Sequence, residues 1–525
     1  MIGAAPIDQL NTRRVRALAL QLQQALRAKD ELLQTQQRQL VFKQVTIDKL
    51  THEMAVLKRL KFAARSEVFN AEQKSLLEEA IDADREALGH ELARERPAPQ
   101  PPAAAQEQPK RQPLPANLPR REIRHEPDST TCGCGCAMKR IGEDVAEKLD
   151  YVPGIFTVER HIRGKWVCAK CEVLVQAPVP AHVIDKGPPT TGLLAQVLVA
   201  KYADHLPLYR QEAIFERAGM SLPRSTLAQW VGACGVELQP LVDALKAALL
   251  SRAVLHADET PVAMLKPGHG KTHRAYLWSY GTTAFDPIKG VVFDFAETRA
   301  GRHVRAFLGT DQDEGGWRGT LVCDDYAGCK ALFGGQIVEA GCLAHARRKF
   351  FDPWAHHQSA VAERALGYFR DLYAAEREVQ DLQVVERRRI RQLKAKPLAD
   401  ALQAWLVAQR QKVPPGSATA KAIDYNLNRW TALTRYLADG ALPADNKWIE
   451  HRIRPIALGR ANWLFAGSLR AGQRAAAIMS LIGSAKMNDL DPYAYLKDVL
   501  ERLPTHPANR IEELLPHSWL ATPLR

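Results

Sequence analysis

The chain has 525 residues, more than one hydrophobic core holds, so two to four domains are expected. Its apolar share of 46% is enough for large cores, yet no apolar run reaches the roughly 18 residues a transmembrane helix needs. A formal net charge of +13 favours a polyanionic partner, with nucleic acid the commonest, although Arg-rich solvated helices would give the same figure.

The first residues turn polar too quickly for a signal peptide, so a cytoplasmic protein is expected. Between about Ala17 and Leu60 there is no Gly or Pro. Leu26, Leu33, Leu40, Ile47 and Met54 recur every seven residues there, while a second row (Leu22, Lys29, Gln36, Lys43, Leu50, Leu57) is polar in its middle. This reads as a coiled coil with a weakened centre, and so as a self-association element. A basic stretch, KRLKFAARSEVF, follows. Residues 1–95 thus form a helical N-terminal region, and the proline-rich 96–120 a linker.

Residues 121–180 hold five of the nine cysteines: Cys132, Cys134, Cys136, Cys168 and Cys171. Cys168-x-x-Cys171 has zinc-knuckle spacing, and the earlier group is irregular, with single spacers. Structural Zn²⁺ on Cys132, Cys134, Cys168 and Cys171 is the expectation, with Cys136 the competitor for a place in the first pair. Two short strand-like runs, IFTVERHI and KWVCAKC, lie in this segment. Residues 181–250 turn helical and include a helix, a Gly-containing turn and a Ser-capped helix. RSTLAQW there could be a recognition helix for DNA, and an ordinary helical hairpin fits the same pattern.

From residue 251 to 485 strands come first and helices after, as in a mixed α/β fold. Strands are predicted at 253–257, 274–281, 290–295 and 319–323, and a helical insertion over about 352–440. The segment PGHGKTH contains a GKT triplet, but Leu265 stands where a phosphate-binding loop needs its first Gly. Nucleotide binding is therefore excluded there, and Lys271 is left as a phosphate contact. Asp258 ends the first apolar strand, where Pro261 is expected to stop it. Alternation turns Glu259 the other way. Asp324 ends GTLVC. Glu450 lies in DNKWIEHRIRP, whose Asn446 and Arg454 share its helix face, with Pro455 closing the segment. Two strand-end aspartates and a helix glutamate suit Mg²⁺ or Mn²⁺ and phosphodiester chemistry. Asp294, inside a strand, is the rival carboxylate. His345, Arg347, Arg348, Lys349, Arg454 and Arg460 are candidate DNA contacts.

The blocks HADETPV, LVCDDYAG, CLAHARRKFFD and NKWIEHRIRPIALGRANWLFAGSLRAGQRAA resemble the signature blocks of the insertion-sequence-sixty-six family of bacterial transposases. The cysteine segment, the zipper with its F-x-x-R-S-E stretch from Phe62 to Glu67, and the closing 486–525 segment resemble that family too. The resemblance implies a multidomain α/β protein with a ribonuclease-H-like catalytic core and a DDE triad, here Asp258, Asp324 and Glu450. Asp325 stands where the family more often has Gly, and Lys447 where it usually has a second Asn. It implies metal-dependent cleavage of DNA at insertion-sequence ends, strand transfer by the freed 3′-hydroxyl, a homo-oligomer, and small accessory proteins of the same element. A catalytically inactive DNA-binding relic or repressor, or a nuclease without strand transfer, are the alternatives.

Overall fold

A computed structural model describes residues 71–94, 118–127, 129–152, 154–184, 189–265, 272–310 and 316–521, with single positions between 23 and 51 and near 114–116 and 187. Two units are distinguished, Met1–Glu67 with Asp84–Arg111, and Val68–Ala83 with Gln112–Arg525. Both sheets belong to the second. The described positions between 23 and 51 are helical, and Leu33, Leu40 and Ile47 are exposed. Lys29, Gln36 and Lys43 of the second row are exposed too, while Leu22, Leu26, Leu50, Met54, Leu57, the Phe62–Glu67 stretch, most of the proline-rich segment and Lys271 lie outside the described residues.

The first sheet contains β1 (Arg120–His125), β2 (Lys139–Val152), β3 (Ile155–Val167) and β4 (Leu174–Gln176). β3 is central, parallel to β1 and antiparallel to β2 and β4. The two short runs expected over 155–171 are in fact one 13-residue strand up to Val167. β2 pairs along all of it and carries it through Gly164, which lies between the two runs. At the hairpin end Leu149, Phe156 and Val158 are buried in the large core. At the open end the strands run into the cysteine turns.

Four helices follow, Thr191–Tyr202, Leu208–Arg217, Arg224–Glu237 and Gln239–Leu250. Thr190 caps the first by accepting from the Leu193 N–H. Gly219, at φ +86°, makes the turn between the second and third. The third helix is not Ser-capped: Pro223 sits at its N-cap, and the Glu212 carboxylate accepts the Arg224 N–H at 3.0 Å instead. Leu227, Ala228, Trp230, Val231, Ala233 and Cys234 bury that helix from several sides. The segment is a helical hairpin packed into the core rather than a helix presented for a groove.

The second sheet is built from β5 (Val254–Met264), β6 (His273–Thr282), β7 (Val291–Ala296), β8 (Gly319–Cys323) and β9 (Ile337–Gly341), in the order β7-β6-β5-β8-β9. β5, β6 and β7 are antiparallel neighbours, while β8 and β9 run parallel to β5. Pro261 does not stop β5, which continues to Met264 opposite β6. β8 leaves β5 at His256, and the far side of β5 is next paired where Met264 bridges to Ala466, so at Pro261 between them a residue without an N–H is tolerated.

The two faces of this sheet have different covers. Leu255, Ala257, Trp278, Tyr280, Val292 and Leu321 join the core with the 191–250 helices. On the other face Val262, Leu277, Phe293 and Phe295 meet Ile449 and Ile453 of the helix Lys447–Trp463. Val254, Val322 and Ala340 on that side meet the insertion, whose helices run from Leu343 to Thr434. Within it, Ala360–Val379 and Val384–Arg410 fold back on each other. The edge strand β7 is closed by the helix Leu469–Met487: Ser484 and Ser480 hydroxyls accept the Val291 and Phe293 N–H groups at 2.9 and 2.8 Å. No helix among the described residues is long and apolar enough to cross a membrane.

Candidate active site and metal centre

The register of the second sheet brings Asp258, which lies within β5 rather than at its end, beside Asp324. His256 pairs with Val322 across β5 and β8. Asp258 and Asp324 each follow two residues later, so both leave the sheet on the face that carries Val322. The same face is crossed by the helix Lys447–Trp463, with Glu450 in its first turn. Pro455 lies inside this helix, which continues to Trp463 rather than ending there. Asn446 is its N-cap residue, buried and outside the helical conformation, so it does not share the Glu450 face. Its side chain instead fastens the helix to β5. Asn446 Oδ1 lies 2.7 Å from His256 Nδ1, and Nδ2 donates to the Ala257 carbonyl at 3.0 Å. The Asn446 N–H reaches Cys342 Sγ at 3.2 Å.

Burial pushes the Asp258 carboxyl up to about 8, with Glu259, Glu450 and Asp324 adding repulsion from their negative charge. Glu450 Oε1 is shielded from solvent and accepts no hydrogen bond, with His345 Nδ1 3.6 Å away. Among the described residues the donor atoms that close within 4.8 Å of one another here are those of Cys342, His345 and Glu450 rather than of the three acids, while the repulsion of Asp258 by Glu450 and Asp324 is of the kind that a hard divalent cation relieves. Asp324 Oδ1 accepts the Tyr326 N–H at 3.0 Å. Asp325 is engaged elsewhere, 3.1 Å from Lys330 and 3.5 Å from Arg429.

Glu259 faces away from this group and forms an ion pair with Arg299, which also stacks on Tyr326 at 3.9 Å. Asp294 pairs with Trp278, which pairs with Glu259, so Asp294 lies on the Glu259 face. The rival carboxylate is thereby on the opposite side of the sheet from Asp258. The buried His256 and Arg429 and the partly exposed Arg299 are the residues that sequence reading passes over. Arg429 joins the insertion to Asp325, Glu339 and the Asp324 carbonyl. Their partners at the site are distant in sequence, Asn446 for His256, Glu259 for Arg299, and Glu339 and Asp325 for Arg429, so none has a local signal.

The candidate DNA contacts separate. His345, Arg347 and Arg348 line one open groove with Glu450. Lys349 points elsewhere, 5.0 Å from the Tyr425 ring. Arg460 donates to the Pro261 carbonyl and so braces β5, while Arg454 is exposed.

In the first sheet, sulfur atoms of Cys132, Cys134, Cys168 and Cys171 lie within 4.8 Å of one another. The Cys134–Cys168 and Cys134–Cys171 separations are 3.8 and 4.0 Å. Tetrahedral zinc thiolates require about 3.8 Å between sulfurs. Cys132 and Cys171 are closer, at 2.9 Å. Turns present both pairs: Gly135, at φ +80°, gives its N–H to the Cys132 carbonyl, and Glu172 gives its N–H to that of Cys168. Cys136 is outside the four-sulfur group.

These features define a mixed α/β protein with a carboxylate cluster on one sheet face and a separate cysteine centre. Residues 186–474 match the profile described as the Transposase IS66 family, and the chain belongs to that family. Residues 480–517 match the IS66 C-terminal element, 129–172 the zinc-finger binding domain of transposase IS66, and 49–123 the profile named Transposase C of IS166 homeodomain. That zinc-finger match and the four-sulfur cluster support structural zinc. Among relatives, the uncharacterized protein y4jD of Sinorhizobium fredii is 38% identical over 78% of this chain and 82% of its own length. The uncharacterized protein y4qI of the same organism is 37% identical over 90% of this chain and 89% of its own.

Proposed function

We propose that the protein is a DDE transposase that binds the ends of an insertion sequence and catalyses strand cleavage and strand transfer. Asp258, Asp324 and Glu450 hold Mg²⁺ or Mn²⁺ in this reading. The cation, when bound, neutralises charge on the phosphate undergoing displacement. The observation that carries the reading is the convergence on one sheet face of a buried, charge-repelled Asp258 with Asp324 and the orphaned Glu450 oxygen, in a chain of a transposase family. A sheet of three antiparallel strands, with two more parallel to the central first strand, supports a ribonuclease-H-like core.

The chain's own groups have separable tasks. Asn446 orients the helix bearing Glu450 against β5. Arg299 holds Glu259 away from the site, and Arg429 with Lys330 neutralises Asp325. Zinc on Cys132, Cys134, Cys168 and Cys171 staples the 121–180 domain, and the heptads of 1–95 pair protomers. The 181–250 helices join that domain to the 251–485 core.

Cleavage of labelled element-end DNA by wild type, Asp258→Ala, Asp324→Ala and Glu450→Ala is the test. Loss of at least about a hundredfold in each is expected. Full metal-dependent activity in any one removes that residue from the site, and cleavage without joining of pre-cleaved ends reduces the protein to a nuclease.

A further inference from the structure

The insertion carries a basic groove that ends at Glu450. It lies between the helices Leu343–His357 and Ala360–Val379 and offers about 1260 Å³ of space open to solvent. Arg347 and Arg348 line one wall, Arg370 and Arg377 the other, and Lys447 stands beside Glu450. Arg370 and Arg377, seven residues apart, share one helix face, while the adjacent Arg347 and Arg348 both border the groove. All four arginines are exposed. Arg370 is paired with Asp371 at 2.9 Å, and Lys447 with Asp445 at 3.9 Å. Among the described residues, Arg348 and Arg377 have no carboxylate partner within ion-pair distance. Cations held apart from counter-charges in a concave surface are the footprint of a phosphate chain.

An aromatic residue decides which form of DNA fits. Phe351 lies in the groove at 39% exposure, unusual for a large apolar side chain, with Arg347 5.6 Å from its ring and Trp354 behind it. A paired duplex has no free base face to lay on a ring, whereas an unpaired base does. We propose that this groove binds an unpaired DNA strand, with phosphates along Arg347, Arg348, Arg370 and Arg377 and a base against Phe351, and leads it to Glu450. The strand's identity as an element end rests on the transposase reading; single-strand binding itself does not.

The test uses the full-length protein without added Mg²⁺, so that binding is read independently of cleavage. Fluorescence anisotropy compares one oligonucleotide, single-stranded and as a duplex, across a salt series. Phe351→Ala is expected to weaken single-strand binding on the order of tenfold while leaving the duplex unchanged, and Phe351→Tyr to retain it. Arg348→Ala with Arg377→Ala should lower the salt slope by about 1.4, the contribution of two phosphate contacts to a single strand. The lysine pair at these positions should restore it, since a point charge suffices. Lys412→Ala with Lys421→Ala, equal in charge but outside the groove, should change the slope less. The substituted side chains are exposed, so folding is preserved. Equal loss on duplex and single strand, no effect of Phe351→Ala, or a slope matching the Lys412/Lys421 control overturns the proposal. Retained cleavage by Asp258→Ala in parallel would sink the triad and leave the binding result standing.

Discussion

Asp258 shows how one position can oppose stability and favour function. Its folded-state proton affinity, at about 8, lies above the ordinary carboxylate value of about 3.9. The folded protein therefore holds this proton more tightly than the unfolded chain. Stability from this group is intact below about pH 4, falls as pH rises, and is fully lost above about 8. Asp258→Asn removes the charge and keeps the shape. The variant should match wild type in acid and exceed it progressively toward pH 9, by on the order of 2–5 kcal/mol without divalent cations. Added Mg²⁺ should close the gap by stabilising wild type alone. Thermal melts across this pH range check it; parallel curves would show that Asp258 carries no buried charge. The acid itself is legible in the sequence, because it follows an apolar run, although the strand goes on past it to Met264. Its neighbour Asn446 is less so. Spacing places it on the Glu450 face, but helix capping by tertiary contact with His256 and Ala257 takes it out of the helix.

Elements reveal a second division of labour. β2 and β3 form a long hairpin that is fixed differently at its two ends. At the turn, Leu149, Phe156 and Val158 are buried in the main core. At the open end, where Lys139 pairs with Val167, the next residues are the cysteine turns. Few apolar residues there could replace a metal staple, since Ile141, Val173 and Leu174 are exposed. Stripping zinc, or replacing Cys168 by Ser, should therefore fray one end only. Hydrogen exchange is expected to accelerate at 139–143 and 165–176 while Leu149–Val158 stays protected. Uniform loss along the hairpin would mean that the whole sheet depends on the metal; no loss would mean that the cysteines hold none. The sequence predicts the four strands 253–257, 274–281, 290–295 and 319–323 within a few residues at most ends, because each is an apolar run. It misses β9, whose IVEAG alternates too weakly, and it splits β3 at Gly164. Both are set by pairing partners far along the chain rather than by local composition.

At the scale of the molecule, the insertion has a core of its own that touches the sheet through Val254, Val322 and Ala340. Its alignment with the carboxylate face then depends on polar ties near the ends of β8 and β9, and Arg429 is central to them. Its guanidinium is 8% exposed and meets Glu339, Asp325 and the Asp324 carbonyl, while its plane lies 5.6 Å from the Tyr425 ring. Removing the charge leaves Glu339 without its cation and Asp325 with Lys330 alone, beside Asp324, where burial and repulsion already raise the proton affinity of Asp258. Arg429→Met keeps much of the volume and should cost about 1–3 kcal/mol, less than a fully buried pair because Glu339 and Asp325 remain partly solvated. The double variant Arg429→Met with Glu339→Gln should recover part of that loss, since one of the stranded charges is gone. Denaturant melts measure the stability, and hydrogen exchange at Leu343–His357 reports whether the insertion has loosened from the sheet. A cost below about 0.5 kcal/mol would mean that apolar contacts alone align the two cores. The expected loss would instead make Arg429 the hinge pin between the sheet that presents Asp258 and Asp324 and the insertion that carries the basic groove.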